Sequence, residues 1–377
     1  MRRVPVLLLV CLAAVGAGPV GHRPAALPQD VGPGLRSPDG RETVFGGEFD
    51  CRLYLVDRAR QRLVASLSLD RPSRSGCAVT PLAWVASHRV AVSIWSGDAH
   101  RTGRSALAIV DPGTRAVSTE PLGIVVAEPL RLPGGGAALL SSPPLGPPQG
   151  GIPEERLGPA RVIRIGADGR VARLVLTRIR AGFASSRTLN RIPGFALDPD
   201  RSRAIVVSEG EGAAEVDLRT LRVVYHPLPH AFDARPRRLA SPPRQHRGTN
   251  NPSRDLVREA HWVGSGLVAV TGYDNWTHDF RDQTLAAGLK LLDTRRWTVR
   301  AVNPRVRSLR FALGTILAWD ERPDGLWGYG PAGRLRFHLF SGQQVWVGPI
   351  WTRRVPVSVG RRRALVELPS GRVVHAP

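Results

Sequence analysis

Lysine is nearly missing from this chain. Of 53 basic residues only Lys290 is lysine, against 31 acidic residues, and the formal charge is +22. The arginines stand singly and in pairs along strands and turns rather than on one helix face, so a nucleic-acid partner is not expected. Such a bias, with abundant Ala, Gly, Pro and Val, is what a GC-rich coding sequence produces. Any electrostatic role points to anionic partners outside the membrane, namely envelope polymers, phospholipid headgroups or acidic glycans. Long apolar runs are also absent. Met1-Arg-Arg is followed by an apolar stretch ending in small residues at Ala17, the pattern of a secretory signal peptide. Cleavage after Ala17, or as late as about Gln29, is expected, with 18–35 as a flexible N-terminal segment. No later segment approaches the roughly 20 apolar residues of a membrane span, so the mature chain reads as secreted or extracytoplasmic, in periplasm or at the cell surface. Cysteine is scarce. Cys11 leaves with the signal, and Cys51 with Cys77 then reads as a disulfide in an oxidising compartment. It would contribute roughly 3 kcal/mol by restricting the unfolded chain. Catalytic templates fail as well: there is no Gly-x-Ser-x-Gly elbow, no His-Glu-x-x-His and no Walker loop. No catalytic residue, metal site or cofactor is assigned.

What the chain does contain is a repeated hairpin. In Ser105-Ala-Leu-Ala-Ile-Val-Asp-Pro-Gly-Thr-Arg-Ala-Val-Ser-Thr-Glu-Pro-Leu122 an apolar strand meets an Asp-led turn and returns. Relatives of it turn at Asp57, Asp168, Asp217 and Asp293, and again near 330 and 370, an interval of about 50 residues. Shorter apolar runs between them, such as Val90-Ala-Val-Ser-Ile-Trp95 and Ala204-Ile-Val-Val207, supply two more strands per unit. Helical periodicity is absent. The pattern predicts an all-β fold, a single β-propeller over 36–377 built from four-stranded antiparallel sheets. Seven blades are expected, or six if the last segment only completes the first.

The turns Ser37-Pro-Asp-Gly-Arg, Leu197-Asp-Pro-Asp-Arg and Ile109-Val-Asp-Pro-Gly-Thr-Arg resemble those of the YVTN/YncE-type, WD40-like bacterial propellers. In that family each blade reads Ser-Pro-Asp-Gly-x, an apolar strand, then Val-Ile-Asp-x-x-Thr. The full Tyr-Val-Thr-Asn tetrapeptide is missing here and the later blades keep only the turn. The resemblance therefore implies a fold and no activity.

Three stretches break the period. Residues 142–159 are Pro/Gly-rich and are expected to form neither strand nor helix. Residues 226–257 are rich in Arg and Pro and carry His226, His230 and His246. The stretch Gly272–Asp282 gathers Asp274, Asn275, His278, Asp279 and Asp282 around Trp276. It is read as a loop, with Asp274, Trp276, His278, Asp279 and Asp282 as ligand contacts; the EF-hand spacing that a calcium site would show is missing. The leading expectation is a non-enzymatic scaffold that binds protein, glycan or an anionic envelope polymer. The alternative is an extracytoplasmic enzyme (lyase, hydrolase or quinone-dependent dehydrogenase) with its site at the channel mouth.

Overall fold

The computed structural model describes residues 30–374 apart from 70–76, 87, 97–103, 128, 133–134, 145–156, 185–188, 199–201, 235–252, 279–280, 321, 349 and 351. The expected signal segment and the middle of both insertions lie outside the described residues. Every regular element within them is a β-strand, and no helix is long and apolar enough to cross a membrane.

The first sheet holds β1 (Leu35–Arg36), β2 (Glu42–Gly46), β3 (Arg52–Asp57) and β4 (Arg62–Ser68). The second holds β5 (Cys77–Ala86), β6 (Arg89–Ser96), β7 (Arg104–Asp111) and β8 (Ala116–Pro121). Then come β9 (Gly123–Val125), β10 (Leu130–Arg131), β11 (Ala137–Pro144), β12 (Gly158–Ile165), β13 (Val171–Ala184) and β14 (Leu189–Ile192). A separate sheet follows: β15 (Gly194–Asp198), β16 (Arg203–Ser208), β17 (Gly212–Asp217) and β18 (Arg222–His226). Next are β19 (Ser253–Gly264), β20 (Leu267–His278), β21 (Arg281–Ala286), β22 (Leu289–Asp293) and β23 (Thr298–Asn303). The last two sheets are β24 (Ser308–Ala312), β25 (Thr315–Trp319), β26 (Leu326–Tyr329), β27 (Leu335–Leu339), and β28 (Val345–Val347), β29 (Arg354–Val359), β30 (Arg362–Glu367), β31 (Arg372–Val374).

The propeller arrangement is as expected, but the count of seven separate blades is not. Five four-stranded sheets stand apart, and β9–β14 with β19–β23 form one eleven-stranded sheet. The cause is strand overrun. β13, 14 residues long, continues past the bulge opposite Pro159/Ala160 and pairs through Gly182–Ala184 with β14, and β14 runs parallel to β19. The break-of-period stretches are corrected too. Residues 142–144 and 158–159 are strand, the final residues of 226–257 belong to β19, and 272–278 and 281–282 lie on the paired strands β20 and β21 where a loop was expected.

Packing follows from strands that are apolar on both faces. Six buried clusters each draw on two sheets consecutive in the chain. On β16, Ala204 and Val206 join Leu140 and Val162 on one side, while Ile205 and Val207 join Val268 and Val270 on the other. Each such fully buried branched side chain contributes about 1.5–3 kcal/mol. The Cys51–Cys77 disulfide, with Cα atoms 4.9 Å apart, ties the start of β3 to the start of β5 and so the first sheet to the second.

The hairpin turns share one geometry. Asp111 Oδ1 accepts the N–H groups of Gly113 (3.0 Å) and Thr114 (3.1 Å), Asp217 those of Arg219 and Thr220, and Asp293 those of Arg295 and Arg296. Four residues after each turn Asp the chain enters the left-handed region, at Gln61, Arg115, Leu221 and Trp297. Asp111→Ala is expected to lower stability by about 1 kcal/mol through the two lost bonds, read as a shifted urea midpoint with an unchanged slope. A shift below a few tenths would mean the backbone holds the turn unaided.

Candidate functional site

Of the sequence-derived ligand residues, Asp274, Trp276 and His278 lie on β20 and Asp282 on β21. Asp274 is 4% exposed and its Oδ1 accepts Arg258 Nη2 at 2.9 Å. Arg258 also donates to the carbonyls of Phe232 (2.6 Å), Val257 (2.7 Å) and Tyr273 (3.1 Å), so the pair pins the 226–257 insertion to the β19–β20 hairpin. Trp276 and His278 follow on β20. Opposite Asp274, Trp276 and His278 stand Leu285, Gln283 and Arg281, while Asp282 pairs with Thr277. Asp279 lies outside the described residues.

A different feature recurs around the fold. In each four-stranded sheet the turn between the first two strands and the turn between the last two lie at the same end. Backbone bonds join them, Arg58 N–H to Arg41 C=O, Leu218 to Ser202 and Leu368 to Arg353, and Thr294 N–H to Gly266 C=O makes the same link within the eleven-stranded sheet. Because the four-stranded sheets share one strand order, these turns crown one face of the propeller. On four of the five Asp-headed turns, those at Asp57, Asp111, Asp217 and Asp293, stand six exposed arginines, Arg58, Arg60, Arg115, Arg219, Arg295 and Arg296. The turn carboxylates are committed to the backbone. Amide N–H groups hold Asp111, Asp217 and Asp293 below the usual carboxylate range. Arginine is thus in excess where side chains are free to reach a ligand.

A cleft of about 340 Å³ opens on this face between the Asp111 turn and the β12–β13 turn. It is lined by Arg89, Asp111, Thr114, Ser118, Asp168 and Gly169 among others. Arg89 donates to the Asp168 carbonyl, and His88 lies 3.7 Å from Asp111. Hydroxyls, carboxylates and a guanidinium together suit a hydrated polar ligand.

The innermost strands carry a second group of ionisable residues. Strand β5 lies close to the sheets on either side, as in Val79 N–H to Gly47 C=O just after β2 (2.9 Å) and Gly136 N–H just before β11 to Val85 C=O (3.0 Å), while β4, β8 and β23 are largely exposed. On β19, Glu259 accepts the Leu309 N–H of β24 at 3.0 Å. Burial raises the Glu259 carboxyl above its ordinary value, and burial with the nearby Arg310 charge lowers His261 to about 4. Both groups are therefore pushed toward their neutral forms, a pattern that clusters at functional sites. Sequence reading passed over them, although two ionisable residues two apart in an inner strand, Glu259-Ala-His261, were a legible signal. Among the described residues no group of three or more His, Cys, Asp or Glu is placed to hold a metal ion.

No protein-family model matches the chain, and no curated protein matches it. Solved structures do. The dihydro-heme d1 dehydrogenase NirN in complex with DHE aligns with 91% of this chain at 15% identity and a TM-score of 0.47. This chain covers 65% of that one, less than two thirds of its length. The WD40 domain of SCAP from fission yeast aligns at 10% identity over 90% of this chain and 82% of its own, with a TM-score of 0.42. Kuenenia stuttgartiensis hydrazine synthase aligns at 11% identity over 84% and 80%, with a TM-score of 0.43. Likenesses this distant assign no activity.

Proposed function

We propose that this chain is a secreted, non-enzymatic propeller scaffold that docks an anionic envelope polymer on its arginine-bearing turn face. The observation that carries the reading is the recurrence of exposed arginine at the same turn of successive sheets, beside carboxylates already committed to backbone N–H groups. A row of such turns presents cations along an extended surface, which suits a polymer carrying regularly spaced charge better than a single small ion. The arginine-led N-terminal run and the Cys51–Cys77 bond support an extracytoplasmic location. The test is binding of labelled polyphosphate and heparin as probe polyanions. Reversing Arg60, Arg115, Arg219 and Arg295 to Glu is expected to weaken binding at low salt by at least about tenfold, with wild-type affinity falling steeply as salt rises. Undiminished binding by the variant would overturn the reading.

A second reading rests on Glu259 and His261. A carboxyl biased toward its protonated form and an imidazole biased toward its neutral form, beside Arg310, are the groups an extracytoplasmic lyase or hydrolase would use as acid and base. It predicts turnover of a polymer substrate that is abolished by Glu259→Gln while polyanion binding is retained.

A further inference from the structure

The second strand of a propeller sheet normally has a neighbouring sheet on each face, and most here do. β16 is buried at five of six positions, β25 at all five, and β11 at its first six. β29 differs. Its residues alternate: Val355, Val357 and Val359 are buried, Arg354 and Pro356 are exposed and Ser358 is half-buried. The buried valines pack with Leu317, Trp319 and Phe337 of the preceding sheet. Among the described residues, the opposite face of the last sheet has no comparable buried cluster.

That face is not a plain polar cap of the kind that ends a stack. Register builds three rows across it: Trp346–Ser358–Arg363, Pro356–Leu365–Val374, and Arg354–Glu367–Arg372. Trp346 is 50% exposed, Pro356 is exposed, and Leu365 and Val374 are half-buried. An apolar middle row therefore lies between two rows bearing arginine, and the single carboxylate, Glu367, accepts Arg372 Nε at 2.8 Å. Trp and Arg around an apolar centre are the residues that dominate protein interfaces. A second copy fits poorly, because each copy carries a formal +22 and like charges repel. A polysaccharide offers no side chains for the middle row.

We infer that the outer face of β28–β31 docks an acidic, amphipathic protein segment, its apolar side chains on Pro356, Leu365 and Val374 and its carboxylates on Arg354 and Arg363. This surface is separate from the turn face, and either assignment can fail without the other.

The probe is a fluorescein-labelled peptide of alternating Leu and Glu, read by anisotropy in about 0.3 M salt so that purely ionic binding to the turn face is screened. Trp346→Ala with Arg363→Glu is expected to weaken binding by about tenfold or more, and Pro356→Asp by a similar factor. Arg115→Glu with Arg219→Glu should change it by less than about twofold. Because the altered residues are exposed, unfolding transitions should match wild type, and Pro356→Asp serves if the double variant fails to fold. Equal affinity of wild type and variants, or an equal loss from the turn-face pair, overturns the inference. So does sedimentation as a dimer that dissociates on Trp346→Ala, since the face would then be covered by a second copy.

Discussion

Arg258→Ala is expected to lower unfolding free energy by about 3–5 kcal/mol, the cost of breaking a buried ion pair from one side. Arg258 and Asp274 have side chains 1% and 6% exposed, and the guanidinium makes four bonds, to three carbonyls and one carboxylate. Truncation strips the carboxylate of its cation and removes the donor from all three carbonyls. Arg258→Lys keeps the charge, but a single ammonium cannot span four acceptors set in a planar fork. It should recover only part of the loss. Arg258→Met combined with Asp274→Leu removes both charges and should cost less than Arg258→Ala alone. The measurement is chemical denaturation of the four proteins. A loss under about 1 kcal/mol for Arg258→Ala would show that the pair is dispensable to the fold. The same logic changes the standing of Asp274. A variant at Asp274 that loses ligand binding is expected to lose structure too, so binding must be compared at matched folded fraction.

Local patterns were legible in the sequence and long-range ones were not. Ser105–Leu122 alternates with period two around an Asp-led turn, and the structure forms β7 and β8 with Asp111 bonded as that turn requires. Cys51 and Cys77 were an even pair in a short loop, and they are joined. By contrast, the pairing of β14 with β19 spans the 226–257 insertion and is parallel, and no local periodicity encodes it. The Gly272–Asp282 stretch looked like a loop because its residues are polar. Polar residues also suit a hairpin, and β20 keeps its ladder there through to His278. Arg258 and Asp274 meet only because β19 and β20 pair with Leu256 opposite Asp274. Arginine excess was visible as composition, yet which arginines share the turn face appears only once each turn is assigned to an end of its sheet.

His261 gives the second large effect, and its sign can be worked out. The folded value of about 4 lies below the ordinary 6.5, so as pH falls the unfolded chain takes up a proton first. Stability present above pH 6.5 is lost between 6.5 and 4, by about 3 kcal/mol at the lower limit. Glu259 has the opposite slope. Its carboxyl is raised above 4.5, so the folded chain holds a proton longer and stability falls as pH rises through the folded value. The two effects oppose each other in the mildly acidic range, and the wild-type profile alone will look shallow there. Substitution separates them. Relative to wild type, His261→Gln should gain about 3 kcal/mol between pH 7.5 and pH 4, while Glu259→Gln should gain in the other direction as pH rises. Urea unfolding across that range is the measurement. If His261→Gln runs parallel to wild type, the imidazole is solvated in the folded chain, and the acid–base reading of the inner strands falls with it. If the curves diverge as described, His261 is neutral at physiological pH, and the fixed charge of Arg310 remains on the inner strands beside it. An anionic group reaching those strands would then meet one cation and two groups biased toward neutrality, the condition under which Glu259 can give up a proton without His261 competing for it.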